Sequence, residues 1–437
     1  MKSPFSRVVT HKARFIGIAL ACVLASLVAM LLIINFSSGE KQITQKVDRL
    51  YSLEDPQFQR TIGAMLGSQI VDGNRFQTLL NGDQIFPSML EAIRGAQKSI
   101  NFETYIYWSG DIGRAFADAL SERARAGVPV HVLIDWVGSS KMEPTLLDEM
   151  RNSGVQIKKF HPLRWYTLGR LNDRTHRKLL VVDGRIGFTG GVGIAPEWTG
   201  HAQDPQHWRD SHFRVEGPVV AQMQAVLLDN WTKTTGQVLH GTAYFPPLQA
   251  LQVPSGRAQV FSSSPEGGSE SMHLMYLLAI TASQHSIDIA NSYFVPDEMT
   301  RHALADALKR GVRVRILTPG DHIDAETVRA SSRGLWGDML RLGAQIHEYQ
   351  PTMFHCKVMI VDGLMVSVGS TNFDDRSFRM NDESNLNIYD AVFAKEQTTV
   401  FEEDLRHSRQ VTYAAWQARP WTEKLHEKAA SLLAPIL

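Results

Sequence analysis

Two stretches of this 437-residue chain carry the same three reactive residue types at the same spacing. His176, Lys178 and Asp183 stand in HRKLLVVD, and His355, Lys357 and Asp362 stand in HCKVMIVD. A small-residue turn follows each copy at the same offset: Gly190-Gly191 in the first, Gly369-Ser370-Thr371-Asn372 in the second. Corresponding residues are 179 apart throughout. One such triplet is a weak signal, since composition alone produces it; two at equivalent points of an internal repeat are a strong one. The apolar run between Lys and Asp reads as a buried strand, on which His and Lys, two apart, share a face. A pair of satisfied strand-edge histidines would not explain the duplication.

These residue types suit the cleavage and re-formation of a phosphodiester bond. That reaction needs a nucleophile, positive charge against the non-bridging oxygens, and a proton for the departing alkoxide. Neutral imidazole can attack phosphorus, because its ordinary pKa of about 6.5 leaves it largely unprotonated at neutral pH. A second, protonated histidine can act as general acid and afterwards as general base. Two lysines supply compact charge at the phosphoryl oxygens, without a metal. No cofactor is expected. No other cluster has metal-ligand spacing, and His201, His207 and His212 read as surface-loop histidines.

The elements that must position these groups repeat as well. SMLEAIRGAQKSI reads as an amphipathic helix before the strand INFETYIYW, and IGRAFADALSERARAG as a helix before VPVHVLIDWVG. In the second half MYLLAITASQHSI precedes IDIANSYFVP, and MTRHALADALKRG precedes VRVRILTPG. Gly127-Val128 and Gly311-Val312 mark matching helix-to-strand junctions. Such alternation implies right-handed βαβ crossovers and a mixed or parallel sheet in each half. Before the first repeat, RFQTLLNGDQIF reads as a strand, a turn at Asn81-Gly82 and a second short strand. The seam falls in GTAYFPPLQALQVPSG (241–256), whose prolines and glycines suit an exposed linker. The expected fold class is α/β: two tandem α-β-α lobes related by pseudo-two-fold symmetry, with matching residues facing one another.

Together with GSTNFDDRSFRMNDE after its second copy, the doubled motif resembles the phospholipase D superfamily, and within it the bacterial cardiolipin synthases. The resemblance runs from about residue 75 to the end and includes NFETYIY, EYQPTMFHCKVMIVDG and WRDSHFRVEGP. It implies two phospholipase D-like lobes, with His176 as the nucleophile that carries a phosphohistidine and His355 as the general acid. Lys178 and Lys357 map to the phosphate clamp. Asn372, with Ser370 of the same turn, maps to the polar groups at the phosphate. Glu383 maps to the carboxylate that orients its own lobe's histidine, and Asp210 to the one that does so for His176. Asp183 and Asp362 map to structural anchors that brace the turn after the strand. Glu103 either touches the site or is structural. One departure stands out: Gly193 occupies the first-lobe position that matches Asn372. The resemblance implies phosphatidyl transfer from phosphatidylglycerol to a second lipid, giving cardiolipin and glycerol. Hydrolysis of a phospholipid, or of single-stranded nucleic acid, is the competing reading.

Composition bounds the rest. Lys plus Arg equal Asp plus Glu at 45 each, so no global basic field draws the chain to nucleic acid, and none is expected as a partner. Cys22 and Cys356 read as unpaired, the latter as a small buried filler. Phe15 to Phe36 is an uncharged apolar run long enough to span a bilayer. A cleaved signal peptide would have a shorter apolar region and a better cleavage site than INFSSGE. Lys2, Arg7, Lys12 and Arg14 before the run favour an inside N-terminus. The expected organisation is therefore a basic tail (1–14), a transmembrane anchor (15–36), a stalk (37–74), lobe 1 (75–245) and lobe 2 (246–437). That places a single-pass enzyme in the bacterial inner membrane, its lobes on the periplasmic side, with phospholipid and membrane as partners. The segment 161–175 mixes Arg164, Arg170 and Arg174 with Trp165, Tyr166 and Leu168. It suits an anionic headgroup or is an ordinary surface loop. Residues 322–344 read as one amphipathic core-packing helix.

Overall fold

The computed structural model describes residues 4–36, 43, 45–49, 51–162, 172–252, 256–265 and 271–434. Arg164, Trp165, Tyr166, Leu168 and Arg170 lie outside the described residues.

Helix α1 (Pro4–Phe36) contains Arg14–Ile34, 21 residues apolar and long enough to cross a membrane and unburied by the rest of the protein. Helix α2 (Pro56–Leu66) starts at Asp55, whose carboxylate accepts from the Gln57 amide at 2.8 Å. Its Phe58 and Ile62 are buried with Leu53 in the core of the C-terminal half. The segment between anchor and globular region is thus partly docked by apolar contact rather than free-standing.

The first half runs β1 (Arg75–Leu80), α3 (Asn81–Gly95), β2 (Ile100–Thr104), α4 (Asp111–Arg125), β3 (Val130–Asp135), α5 (Pro144–Asn152) and β4 (Gln156–Phe160). Then follow β5 (Arg174–Thr175), β6 (Leu179–Val182), β7 (Ile186–Gly190), β8 (Ser211–Glu216) and α6 (Val220–Thr235). No second strand follows β1. Ile85, Phe86, Met89, Leu90 and Ile93 are all buried at helical spacing, so the helical period begins at Asn81 itself.

The second half runs β9 (Arg257–Ser263), α7 (Ser271–Ala282), β10 (Ser286–Asn291), β11 (Phe294–Val295), α8 (Glu298–Lys309) and β12 (Arg313–Pro319). Next come α9 (Glu326–Gly334), α10 (Gly337–Arg341), β13 (Gln345–Tyr349), β14 (Lys357–Val361), β15 (Met365–Gly369) and β16 (Phe373–Asp374). The chain continues through α11 (Asp375–Arg379), β17 (Asn381–Tyr389), α12 (Ala391–Arg406), β18 (Ser408–Val411), α13 (Tyr413–Gln417) and α14 (Trp421–Ser431). The stretch 322–344 holds two helices, not one. Trp336 turns inward between them, its indole N–H on the Ser332 hydroxyl at 3.0 Å.

One sheet has the order β1-β8-β7-β6-β2-β3-β4. The other has the order β18-β13-β12-β10-β14-β15-β17-β5, with β9 also on β17. The pairing repeats: β2-β3-β4 and β10-β12-β13 are parallel, while β6 and β14 lie antiparallel to β2 and β10. The apolar runs between Lys and Asp are covered on both faces. Leu180 and Val182 pack outward on α3 and α4, whereas Leu179 and Val181 pack inward with Val358 and Ile360 of the other half. Met359 and Val361 pack outward in their turn. This double burial is why these strands lack polar alternation.

Candidate functional site

Lys178 and Lys357 stand at the starts of β6 and β14, and each folds back to donate to the carbonyl two residues before it, both at 2.9 Å. His176 and His355, which own those carbonyls, are only 9% and 6% exposed. Their backbones are held by the opposite half of the chain. Strand β5 pairs parallel with β17, so the His176 amide donates to the Asp382 carbonyl at 2.9 Å. A single bridge between Arg209 and Phe354 does the same for His355, whose amide donates to the Arg209 carbonyl at 2.7 Å.

That register decides which carboxylate each imidazole meets. Glu383 follows Asp382, and its Oε1 lies 2.9 Å from His176 Nδ1. Asp210 follows Arg209, and its Oδ2 lies 2.8 Å from His355 Nδ1. The resemblance implies Asp210 for His176 and Glu383 for His355; the structure crosses both pairs. Each histidine stands just before an interior strand of its sheet and is paired through its backbone with the other half, so the carboxylate within reach belongs to that half.

The carboxylates are themselves fixed. Glu383 accepts from the Ser370 hydroxyl, from Ser377 Oγ at 2.8 Å and from Asn381 at 3.3 Å. Asp210 accepts from the Trp198 indole N–H at 2.9 Å and from the Ser211 amide at 2.8 Å. Gly191 holds the first-half position that matches Ser370. A Cβ there would lie 2.2 Å from Asp210 Oδ1, so the acid's approach requires glycine.

The two half-sites differ in a second way. Lys357 Nζ donates to Ser292 Oγ at 2.6 Å, and Ser292 donates to Asn372 Oδ1 at 2.9 Å. The strand registers Ile100↔Val182 and Ile287↔Val361 put Tyr105 where the second half has Ser292, and Ile106 where it has Tyr293. Tyr105 stands edge-on to His176 at 5.3 Å between ring centres, with the Lys178 ammonium 5.6 Å from its own ring centre. A Cβ on Gly193 would meet Ile106 Cβ at 2.8 Å and Trp198 Cζ3 at 3.2 Å. The space that Asn372 uses is thus filled by apolar atoms in the first half. Around His355 the rings of Trp198, Trp208 and Tyr293 lie at 5.2, 5.5 and 6.5 Å. Tyr105, Ser292 and these aromatics escape a reading by motif, although aligning the two repeat strands would have paired Tyr105 with Ser292.

Asp183 and Asp362 sit apart from the imidazoles. Both take left-handed backbone (φ 53°) in the hairpin after their strand, which Asp tolerates better than most residues. Their carboxylates do not brace that turn but reach across to the loop entering the neighbouring strand. Asp183 accepts from the amides of Gln97, Lys98 and Ser99 at 2.7–3.0 Å, and Asp362 from those of Gln284, His285 and Ser286 at 2.7–2.9 Å. Glu103 is fully buried, bonded to Thr175 and, at 2.8 Å, to Asn230, and burial pushes its pKa up to about 7. It meets the site only through Thr175, the neighbour of His176. Arg174 lies 5.5 Å over the Trp136 ring. His201 and His207 pair with Asp83 and Asp204, but His212 is buried in β8 rather than at a surface. Cys22 and Cys356 are free thiols, Cys356 buried and pushed up to about 12 by that burial. Among the described residues no group of three His, Cys, Asp or Glu side chains is placed to hold a metal.

Burial dominates the electrostatics. It lowers both His176 and His355 to about 4, against the pull of Glu383 and Asp210 and with the help of the lysines. It lowers Lys178 to about 7, aided by Lys357, and lowers Lys357 too. Burial alone would raise Glu383 and Asp210, yet their histidines and the lysines leave both below the ordinary carboxylate value. At neutral pH both imidazoles are therefore neutral, with Nδ1–H given to the carboxylate; Nε2 of each keeps its lone pair, and that of His355 lies 3.1 Å from Lys357 Nζ. Two buried ammonium groups beside two neutral imidazoles complement a phosphodiester monoanion. The arrangement can bind such an anion, attack its phosphorus and exchange a proton with its leaving oxygen. A cavity of about 920 Å³ between residues 43–49 and helices α7 and α8 contains none of these groups.

Residues 89–204 and 276–405 match the family described as cardiolipin synthase, phospholipase D-like domain. A cardiolipin synthase of Geobacillus sp. (strain WCH70) is 36% identical over 362 residues, covering 83% of this chain and 72% of its own. A probable cardiolipin synthase of Bacillus subtilis is 34% identical over 368 residues, with the same two coverages. Among solved structures, phosphatidylserine synthase of Haemophilus influenzae superposes with a TM-score of 0.65 at 15% identity. That match covers 87% of this chain and all of that one, and shows a shared fold.

Proposed function

The chain belongs to the cardiolipin synthase family with phospholipase D-like domains, and from that membership we propose how its residues carry the reaction. It is a phosphatidyltransferase that makes cardiolipin. The donor is phosphatidylglycerol, held with its two non-bridging oxygens against Lys178 and Lys357. Asn372 contacts the same phosphate from the second half. Nε2 of His176 attacks phosphorus as the bond to the glycerol oxygen breaks, and His355, protonated, gives its proton to that oxygen. Glycerol leaves and a phosphatidyl-His176 remains. Neutral His355 then takes the proton from a glycerol hydroxyl of a second phosphatidylglycerol; that oxygen attacks phosphorus, the P–N bond breaks, and cardiolipin is released. Glu383 and Asp210 hold the tautomers throughout. The bound anion offsets the burial cost at the lysines and at His355, which otherwise sits too low to be an acid at neutral pH.

The crossed pairs carry this reading: each imidazole has its Nδ1 engaged by a carboxylate, which leaves Nε2 as the reacting nitrogen, and Lys357 Nζ stands 3.1 Å from Nε2 of His355, where the phosphate would draw it away. The aromatic cover of His355 favours a lipid hydroxyl over water as acceptor. The repeated strand order further supports two lobes about a pseudo-two-fold axis. The basic residues before the apolar segment support a single pass with the lobes on the periplasmic side.

The test uses phosphatidylglycerol vesicles, with quenched samples analysed by peptide mass. A phosphatidyl adduct on the peptide containing His176, absent in His176→Ala, and cardiolipin with glycerol as products are expected. An adduct confined to His355, or phosphatidic acid as the main product, would overturn the assignment.

A further inference from the structure

Helix α14 is seated by one face. Glu427 and Ala430 are buried, and Glu427 accepts from Arg333 Nε at 2.9 Å and pairs with Arg419 at 2.9 Å. On the opposite side Trp421, Leu425 and Leu432 are 73%, 60% and 78% exposed. With 3.6 residues per turn, these three side chains fall within roughly 40° of one another, about 150° from Glu427. Leu432 itself keeps helical backbone at the C-cap. Lys424 and Lys428 flank the stripe and no carboxylate lies within it, while Glu423 leans toward Arg333 at 3.9 Å.

Single exposed apolar side chains are ordinary on a protein surface. Three in register, led by a tryptophan and flanked by lysines, on a helix whose inner face is ionic, form the pattern of a helix that lies in a membrane interface. The ionic seat adds a reason. Arg333 also donates to Glu348, which accepts from Arg329 and Arg409 as well, so charge geometry fixes the direction of the helix alongside the close approach of Gly334 to its backbone. The seat also connects to the cleft. In α9, on which α14 rests, Ser332 donates to the Phe294 carbonyl, two residues beyond Ser292.

We infer that α14 is an in-plane anchor for an anionic phospholipid bilayer: Trp421, Leu425 and Leu432 enter the headgroup boundary, and Lys424 and Lys428 meet lipid phosphates. The inference deepens the proposed function, since the lipid substrate would be drawn from the surface that α14 and α1 share.

A fluorophore on Leu425→Cys, in a Cys22→Ser background where Cys356 is buried, reads this in the full chain reconstituted in phosphatidylglycerol-containing nanodiscs. Headgroup-level nitroxide lipid should quench it at least about twofold more than the same label on His426→Cys, given a burial depth of about 5–10 Å for such helices. Leu425→Asp should raise the apparent KM for vesicle phosphatidylglycerol roughly tenfold by the loss of one buried leucine, with kcat on detergent-dispersed substrate unchanged. Equal quenching at the two positions, or protection by a second copy of the chain, overturns the inference. So does an equal loss of activity in vesicles and detergent. The quenching is independent of turnover, so a wild type that makes no cardiolipin would overturn the proposed function while leaving this test intact.

Discussion

Nδ1 of His176 and Oε1 of Glu383 lie 2.9 Å apart although 207 residues separate them, because the two residues before His176 pair with the two residues before Glu383. The same holds for His355 and Asp210. Glu383→Gln should therefore lower kcat by about 10⁴-fold, as loss of a histidine-orienting carboxylate does elsewhere, with little change in KM. The crossing itself shows in double variants. In a His355→Ala background, Asp210→Asn should leave the residual rate within about twofold, whereas Glu383→Gln should still reduce it by about the same factor as in the wild type, since only coupled residues depart from additivity. The reverse pattern would mean that the pairs are not crossed in solution.

Lys178 should give the pH profile an alkaline limb near neutrality. Burial holds it at about 7 in the free protein, so kcat/KM, which reports the free enzyme, should decline above that pH. Lys178→Arg keeps its charge at all these pH values and should lose that limb, even if its maximum rate is lower. The linkage has the opposite sense for stability. Between about 7 and 10.5 the unfolded chain binds a proton that folded Lys178 does not, so this residue makes the fold more stable as pH rises through that window. Rate profiles and Tm measured from pH 6 to 10 would check both directions.

Gly193→Asn should not restore a missing phosphate contact. The new side chain would collide with Ile106 and Trp198, and overpacking of this kind costs about 1–3 kcal/mol. A lowered Tm is expected, with partial recovery in Gly193→Asn/Ile106→Ala. Gly193→Asn alone raising activity without loss of Tm would contradict the packing described.

Asp183→Asn should separate scaffold from chemistry. It weakens three charge-assisted bonds to the amides of residues 97–99, which at roughly 1 kcal/mol each amounts to a loss of about 2–3 kcal/mol. Urea denaturation should show that loss while kcat at 20 °C stays within about threefold, because no imidazole or ammonium of the site touches Asp183 and a fold this size retains stability in reserve. A loss of kcat with unchanged stability would move Asp183 into the chemistry.

Much of this was legible before any coordinates. The doubled His-Lys-Asp spacing marked the four groups that converge, and LLVV and VMIV, apolar at every position, announced strands buried on both faces. The apolar segment 15–36 was equally plain. Which carboxylate serves which histidine was not, because Asp210 and Glu383 carry no sign of partner: proximity in sequence favours the same half, and only the β5–β17 and Arg209–Phe354 pairings reverse it. The start of helix α3 is hidden in the sequence because Asn81-Gly82 looks like a hairpin turn, whereas Asn81 in left-handed backbone leads straight into a helix. The contrast between Tyr105 and Ser292 is available in principle from the repeat, but it emerges only when the two strands are set in register, because neither residue belongs to the His-Lys-Asp motif.

The paired strands that bring His176 to Glu383 also restrict how the molecule can move. Two halves joined by a linker would ordinarily open and close about a hinge. Here any rotation that parted them would pull both imidazoles from their acids and break the hydrogen bonds donated by the His176 and His355 amides in the same motion. Substrate entry has to be managed by side chains and loops at the rim, and the cleft works as a fixed vice whose jaws were set when the chain folded.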